Sequence, residues 1–212
     1  MATTLRERRR QLLRNEILQA AGALLNEKGY AAISMDELAG RVGISKPTLY
    51  SQFATKEDLI IAAVMYWFDR VEQIIASDQT PRTPLQQLCF ILRTAVQLQI
   101  DEGALSPRPW APEIFQIIRQ RVEVLARLRQ IDASVAALVQ AGVECGEINP
   151  ALDPAVVVRA YLTLVSTLHS PFAKLVKSIN PSEQIGSDLH APHLVGEMLA
   201  LIFANGVRAP VQ

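Results

Sequence analysis

Residues 43 to 59 read GISKPTLYSQFATKEDL. Gly43 breaks whatever precedes it, Ile44 is apolar, and Ser45 is a residue type that caps helix N-termini by accepting a first-turn amide. Pro47 then falls in the first turn, where a missing N–H costs nothing, so it starts a helix of about Lys46 to Phe53 and does not break one. Thr55 caps the next helix, whose first turn holds Glu57 and Asp58 at the positive end of the helix dipole. Upstream, Ser34-Met35-Asp36-Glu37 has the form of a capping box and predicts a helix from Met35 to Val42. Two helices of about two turns each, joined by a three-residue turn carrying glycine, make a helix-turn-helix.

The apolar positions suit that arrangement. Leu38, Ala39 and Val42, with Ile44 in the turn and Leu49 and Phe53 beyond it, can close into one small core. What remains outside the second helix is Lys46, Thr48, Tyr50, Ser51 and Gln52. A solvated surface helix is the other reading, but such a helix favours Glu/Lys pairs over an exposed tyrosine, threonine and glutamine. Phosphates and the donor-and-acceptor pattern of a DNA major groove are the natural target.

Charge points the same way. The chain has 212 residues and no net charge, with 21 basic and 21 acidic side chains. Residues 1 to 56 nevertheless hold nine Lys/Arg against five acids, and the remainder holds twelve against sixteen. A basic head on an acidic body suggests that the head meets a polyanion; the alternative for RERRR (6 to 10) is a frayed, solvated end. The content is 50% hydrophobic, enough for a sizeable core. Two cysteines, Cys89 and Cys145, make no disulfide framework, the first thirty residues contain no signal-like apolar run, and no segment reaches the roughly 18 uncharged apolar residues of a membrane span. A cytoplasmic protein with no membrane partner is expected.

The run ILQAAGALLNEKGYAAISMDELAGRVGISKPTLYSQFATKEDLIIAAV, from Ile17 to about Val64, resembles the DNA-binding domain of the TetR/AcrR family of transcriptional regulators. GYAAIS, GISKPTLYSQF and KEDL are all in register over about fifty residues. The resemblance implies that Lys46, Thr48, Ser51 and Gln52 face the groove of double-stranded operator DNA, and that Ser34, Tyr50 and Lys56 hold phosphates. Gln52 is a departure, since many members carry an aromatic residue or histidine there; the operator sequence therefore does not carry over.

Beyond the head, helical periodicity continues with breaks at proline and glycine. The first helix is expected at about 8 to 28, with Ile17, Ala20, Ala21, Leu24 and Leu25 on one face, and the later ones near 56 to 76, 84 to 100, 112 to 119, 121 to 145, 153 to 177 and 191 to 205. The fold class is all-α with about nine helices: a helix-turn-helix DNA-binding domain over 1 to 56 and a helical effector-binding and dimerisation domain over 57 to 212. The resemblance implies a homodimer formed by the last two long helices, through Val157, Leu164, Leu168, Val195, Met198, Leu199, Ile202 and Phe203; internal packing is the other reading of these stripes. Aromatic and polar residues within apolar helices nominate Met65, Phe68, Leu92, Gln97, Trp110, Phe115, Arg119, Tyr161, Ser166 and His169 for an effector pocket, although each also fits a plain core or surface position. The effector would be small and largely hydrophobic, and the expected mode is repression relieved by it.

Two sensing alternatives exist. Cys89 and Cys145 could form a redox switch, though cysteines in helical patterns are usually small buried side chains. Asp188, His190 and His193 could hold a metal, though a fourth ligand is missing. No Ser/His/Asp ordering, metal motif or glycine-rich phosphate loop is present, so no catalytic residue and no cofactor is assigned, and no enzyme activity is expected.

Overall fold

The computed structural model describes residues 4–101, 112–166 and 192–210. Nine helices lie among them: α1 (Leu5–Lys28), α2 (Met35–Val42), α3 (Lys46–Gln52), α4 (Lys56–Ser77), α5 (Pro84–Asp101), α6 (Pro112–Arg119), α7 (Val122–Glu144), α8 (Pro154–Ser166) and α9 (Pro192–Val207). There is no β-strand among the described residues, only an isolated bridge between Ile148 and Arg208. The all-α class is as the periodicity predicts. None of these helices is long and apolar enough to cross a membrane.

The first helix begins earlier than its apolar pattern suggests. Thr4 accepts the Glu7 amide while the Glu7 carboxylate returns to the Thr4 amide, a complete capping box. The cap holds Arg6 to Arg10 in helix instead of leaving them frayed. At Ser34 only half the expected box forms: Ser34 Oγ accepts the Glu37 amide at 3.0 Å, but the Glu37 carboxylate is taken by Lys28 Nζ at 2.5 Å. Gly43, with φ 74°, occupies the left-handed region that side chains disfavour, and closes α2 by donating to the Gly40 carbonyl.

The chain divides into two compact units. One comprises Met1–Arg70 and Glu102–Val124, the other Val71–Asp101 and Leu125–Gln212. The first unit thus reaches past residue 56, because the start of α4 and the whole of α6 supply part of its core: Leu59, Ile60 and Ile114 are fully buried, as are Ile17, Leu24 and Leu25 of α1, Leu38 of α2 and Leu49 of α3. Phe53 closes the same core. Val42 and Ile44, expected inside it, are only half-buried.

In the second unit α9 packs chiefly on α5. Gly196 permits the approach, since a Cβ there would lie 3.3 Å from the Arg93 carbonyl oxygen. Tyr161 of α8 is buried, donates its hydroxyl to the Leu88 carbonyl of α5 at 2.9 Å, and meets the Phe203 ring edge-on at 5.2 Å. Tyr161 and Phe203 are therefore buried in the core of the protomer, and Val157 shares that core. Periodicity could not separate these outcomes, because α8 and α9 are apolar on more than one face. Cys145 differs too: α7 ends at Glu144, Gly146 turns with φ 78°, and the thiol is left exposed.

Candidate nucleic-acid interface

The recognition helix α3 is set by its caps. Ser45 Oγ accepts the Thr48 amide at 3.2 Å and lies 2.8 Å from the Thr48 hydroxyl, which tightens the first turn. Leu49 and Phe53 anchor the opposite side in the core. The outward face carries Lys46, Tyr50 and Ser51, all exposed, with Tyr50 retaining 47% of its surface. Lys46 pairs with Asp36 of α2 at 2.5 Å, and the Ser51 hydroxyl donates to the Thr48 carbonyl at 2.7 Å. Both side chains are exposed ones whose local bonds a stronger partner can displace at small cost.

Ser34 is exposed and already accepts at the head of α2. Lys56, half-buried at the start of α4, has its ammonium 4.2 Å from the centre of the Tyr30 ring. The Tyr30 hydroxyl donates to Glu57 at 2.9 Å. Burial, reinforced by the Glu57 carboxylate, pushes the Tyr30 hydroxyl up to about 12, so it stays a proton donor at neutral pH. Burial also lowers the Lys56 ammonium. Tyr30 thus fixes Lys56 at a helix N-terminus, where amides and ammonium face an anion together. The sequence offers Lys56 for this role but gives no sign of the ring beneath it.

Gln52 lies elsewhere. It is half-buried, its side-chain oxygen has no hydrogen-bond partner among the described residues, and its carbonyl accepts from Arg14 of α1 at 3.2 Å. With Glu7, Arg10, Gln11 and Arg14 it lines a recess of about 350 Å³. At the last position of α3 its side chain has rotated past the outward face toward α1, away from the positions of Tyr50 and Ser51.

The nominated pocket residues do not gather in the larger recess of the second unit, of about 530 Å³, which none of the ten lines. Leu92 is buried in the core, Met65, Phe68, Gln97 and Ser166 are half-buried, and Phe115 and Arg119 are exposed. Trp110, His169 and Leu168 lie outside the described residues, as do Asp188, His190 and the side chain of His193. The position that pattern reading missed is Gln99, two residues from Gln97. It is 6% exposed; its amide donates to the Val165 carbonyl at 2.9 Å and its oxygen lacks a partner among the described residues. Of the interface residues, Leu164, Val195 and Leu199 are half-buried, whereas Met198 and Ile202 are 55% and 61% exposed, beside Leu194 and Leu201.

Cys89 is half-buried and burial raises its thiol, which lowers the thiolate fraction a redox switch needs. Among the described residues no three His, Cys, Asp or Glu side chains cluster to hold a metal.

Comparison with known proteins matches residues 17–63 to the family model of bacterial regulatory proteins, tetR family. The HTH-type transcriptional activator FasR of Mycolicibacterium smegmatis is 34% identical over 88 residues, 42% of this chain and 39% of that protein. The HTH-type transcriptional regulator YuxN of Bacillus subtilis is 28% identical over 115 residues, 49% of this chain and 38% of that protein. The matched stretch thus spans well under half the length of these curated relatives. Among solved structures, AibR in complex with isovaleryl coenzyme A and operator DNA superimposes with a TM-score of 0.65 at 22% identity, over 94% of this chain and all of that one.

The caps of α2 and α3 generate a stability prediction. Ser34→Ala and Ser45→Ala should each lower the unfolding free energy by about 1 kcal/mol, because each leaves a first-turn amide without its acceptor. Urea titration followed by circular dichroism measures this, and an unchanged midpoint for Ser45→Ala would show that the cap contributes nothing to α3.

Proposed function

We infer, for a chain that belongs through its N-terminal domain to the TetR family of bacterial transcriptional regulators, that it acts in the cytoplasm as a homodimeric repressor, released from double-stranded operator DNA by a small, largely hydrophobic effector. The observation that carries the reading is α3 itself: a helix anchored by Leu49 that presents Lys46, Tyr50 and Ser51 outward, behind a helical row of arginines. Lys46, Ser51 and Thr48 are the residues we assign to base edges. Ser34, Tyr50 and Lys56 are assigned to phosphates, and the DNA-binding function to residues 1 to 56, supported by the start of α4.

A two-helix reader gains affinity from a second copy, because two half-sites one helical turn apart double the contacts. The exposed Leu194, Met198, Leu201 and Ile202 of α9 are the apolar patch that a second copy would cover. Among the described residues of the helical body the Gln99 oxygen is a buried acceptor left without a partner, so we assign the effector a hydrogen-bond donor on an otherwise apolar frame. AibR, which shares the fold, binds isovaleryl coenzyme A, a ligand whose acyl end is apolar. FasR is an activator, so the direction of control does not follow from the fold; repression is favoured because occupancy of a promoter by two recognition helices requires no further contact.

A gel shift on the region upstream of its own gene should show a complex whose affinity falls steeply between about 50 and 200 mM salt. Lys46→Ala should cost about 1 to 3 kcal/mol at one base position and Tyr50→Phe should weaken all sequences alike; absence of any complex at low salt with neighbouring promoters would overturn the assignment. Light scattering should find a dimer that Ile202→Glu converts to monomer, since an unpaired charge would be buried in the apolar patch; a wild-type monomer at micromolar concentration would refute the interface. Calorimetry of an identified effector should show operator DNA weakening effector binding by the same factor that effector weakens operator binding, and equal affinities with and without operator would exclude ligand-driven release.

A further inference from the structure

The recess between α1 and the end of α3 is lined by two cations, Arg10 and Arg14, against a single acid, Glu7. Arg10 and Arg14 are one helical turn apart, close enough for their side chains to share a partner. Arg14 is anchored: its guanidinium lies 4.3 Å from the Phe53 ring centre and donates to the Gln52 carbonyl, at the negative end of the α3 dipole. That uses one of the five N–H donors of the fork. Arg10 is exposed and has no side-chain partner among the described residues. The acid lining the recess, Glu7, is engaged by the Thr4 amide at 2.7 Å and the Thr4 hydroxyl at 2.9 Å. Burial lowers the Arg14 guanidinium, and the nearby charge of Arg10 lowers it further.

We propose that Arg10 and Arg14 form a seat for one backbone phosphate of the DNA, held in register with the recognition helix by the bond from Arg14 to the Gln52 carbonyl. The proposal rests on the DNA-binding reading above and adds a contact from α1 that the helix-turn-helix itself does not supply. A planar fork with free N–H groups and a second arginine one turn away suit the tetrahedral oxygens of a phosphodiester. Because Arg14 is tied to the last residue of α3, the seat moves with the reader and fixes its depth and angle in the groove. Gln52 then closes the recess and does not read a base.

The test uses the full-length protein and a duplex from its own upstream region, with fluorescence anisotropy across about 50 to 200 mM salt. Arg10→Ala leaves the core untouched. It should lower affinity about tenfold near 100 mM salt, for operator and scrambled duplex alike, and reduce the slope of log affinity against log salt by about 1.8, one contact in each half-site of the dimer. Arg6→Ala, on the same helix but outside the recess, removes equal charge and should do much less. Arg14→Lys keeps the charge but loses the fork and the stacking, so affinity should fall several-fold with the salt slope preserved. Replacing single phosphates by neutral methylphosphonates should reveal one position per half-site that weakens wild type more than it weakens Arg10→Ala, in which Arg14 alone still holds the phosphate. The seat is overturned if Arg10→Ala matches wild type or Arg6→Ala on DNA that wild type binds, or if its loss is confined to one base pair. Failure of wild type to bind any duplex would remove the DNA-binding reading and the seat with it.

Discussion

Gly43 holds the left-handed backbone turn on which the head depends. With φ at 74°, it closes α2 and redirects the chain within three residues, so that Ser45 can cap a new helix at an angle to the old one. The turn brings Leu38 and Leu49 into one core with Phe53, and that core rests on α1 through Ile17, Leu24 and Leu25. Lys46, Tyr50 and Ser51 are outward because these apolar residues face inward. A side chain at residue 43 would load about 1 to 2 kcal/mol of strain onto the turn, and relief of that strain would reorient α3.

Around this frame, charged groups set position more than they add stability. Lys28 with Glu37 and Arg41 with Glu27 join α1 to α2, and Arg121 with Asp58 ties the segment before α7 to the start of α4. Exposed pairs of this kind contribute little individually. Their effect is geometric, as is that of Tyr30 beneath Lys56 and Arg14 against Phe53. In both of the latter a cation is held over a ring, which restricts a long flexible side chain before it meets an anion.

The second unit is organised by a different logic. Its core is closed by Tyr161, whose ring packs against Phe203 and whose hydroxyl reaches the Leu88 carbonyl, so a polar group crosses the interior with its hydrogen bond satisfied. Gln99 is the contrast, since one side of its amide is paired and the other has no partner among the described residues. An unpaired buried oxygen carries a desolvation cost that a ligand donor can recover. Helix α9 divides its apolar residues between two surfaces: Phe203 and Ala200 pack inward on the core, while Met198 and Ile202 stay exposed.

The sequence by itself determined the helices of the head, their caps and the outward face of α3, because those depend on local chemistry: a serine before a proline, a glycine between two amphipathic turns, an apolar residue every third or fourth place. In the body, Pro84 and Pro154 open α5 and α8 for the same reason. What only the tertiary structure decided were the facts that depend on which face of a helix meets which neighbour. Gln52 turned toward α1, Tyr30 slid beneath Lys56, Tyr161, Val157 and Phe203 entered the protomer core, and Gln99 rather than Gln97 was buried. In a helix with apolar residues on more than one side, periodicity gives the helix but not its rotation. Rotation is set by packing partners tens of residues away, a constraint that no local window of sequence contains.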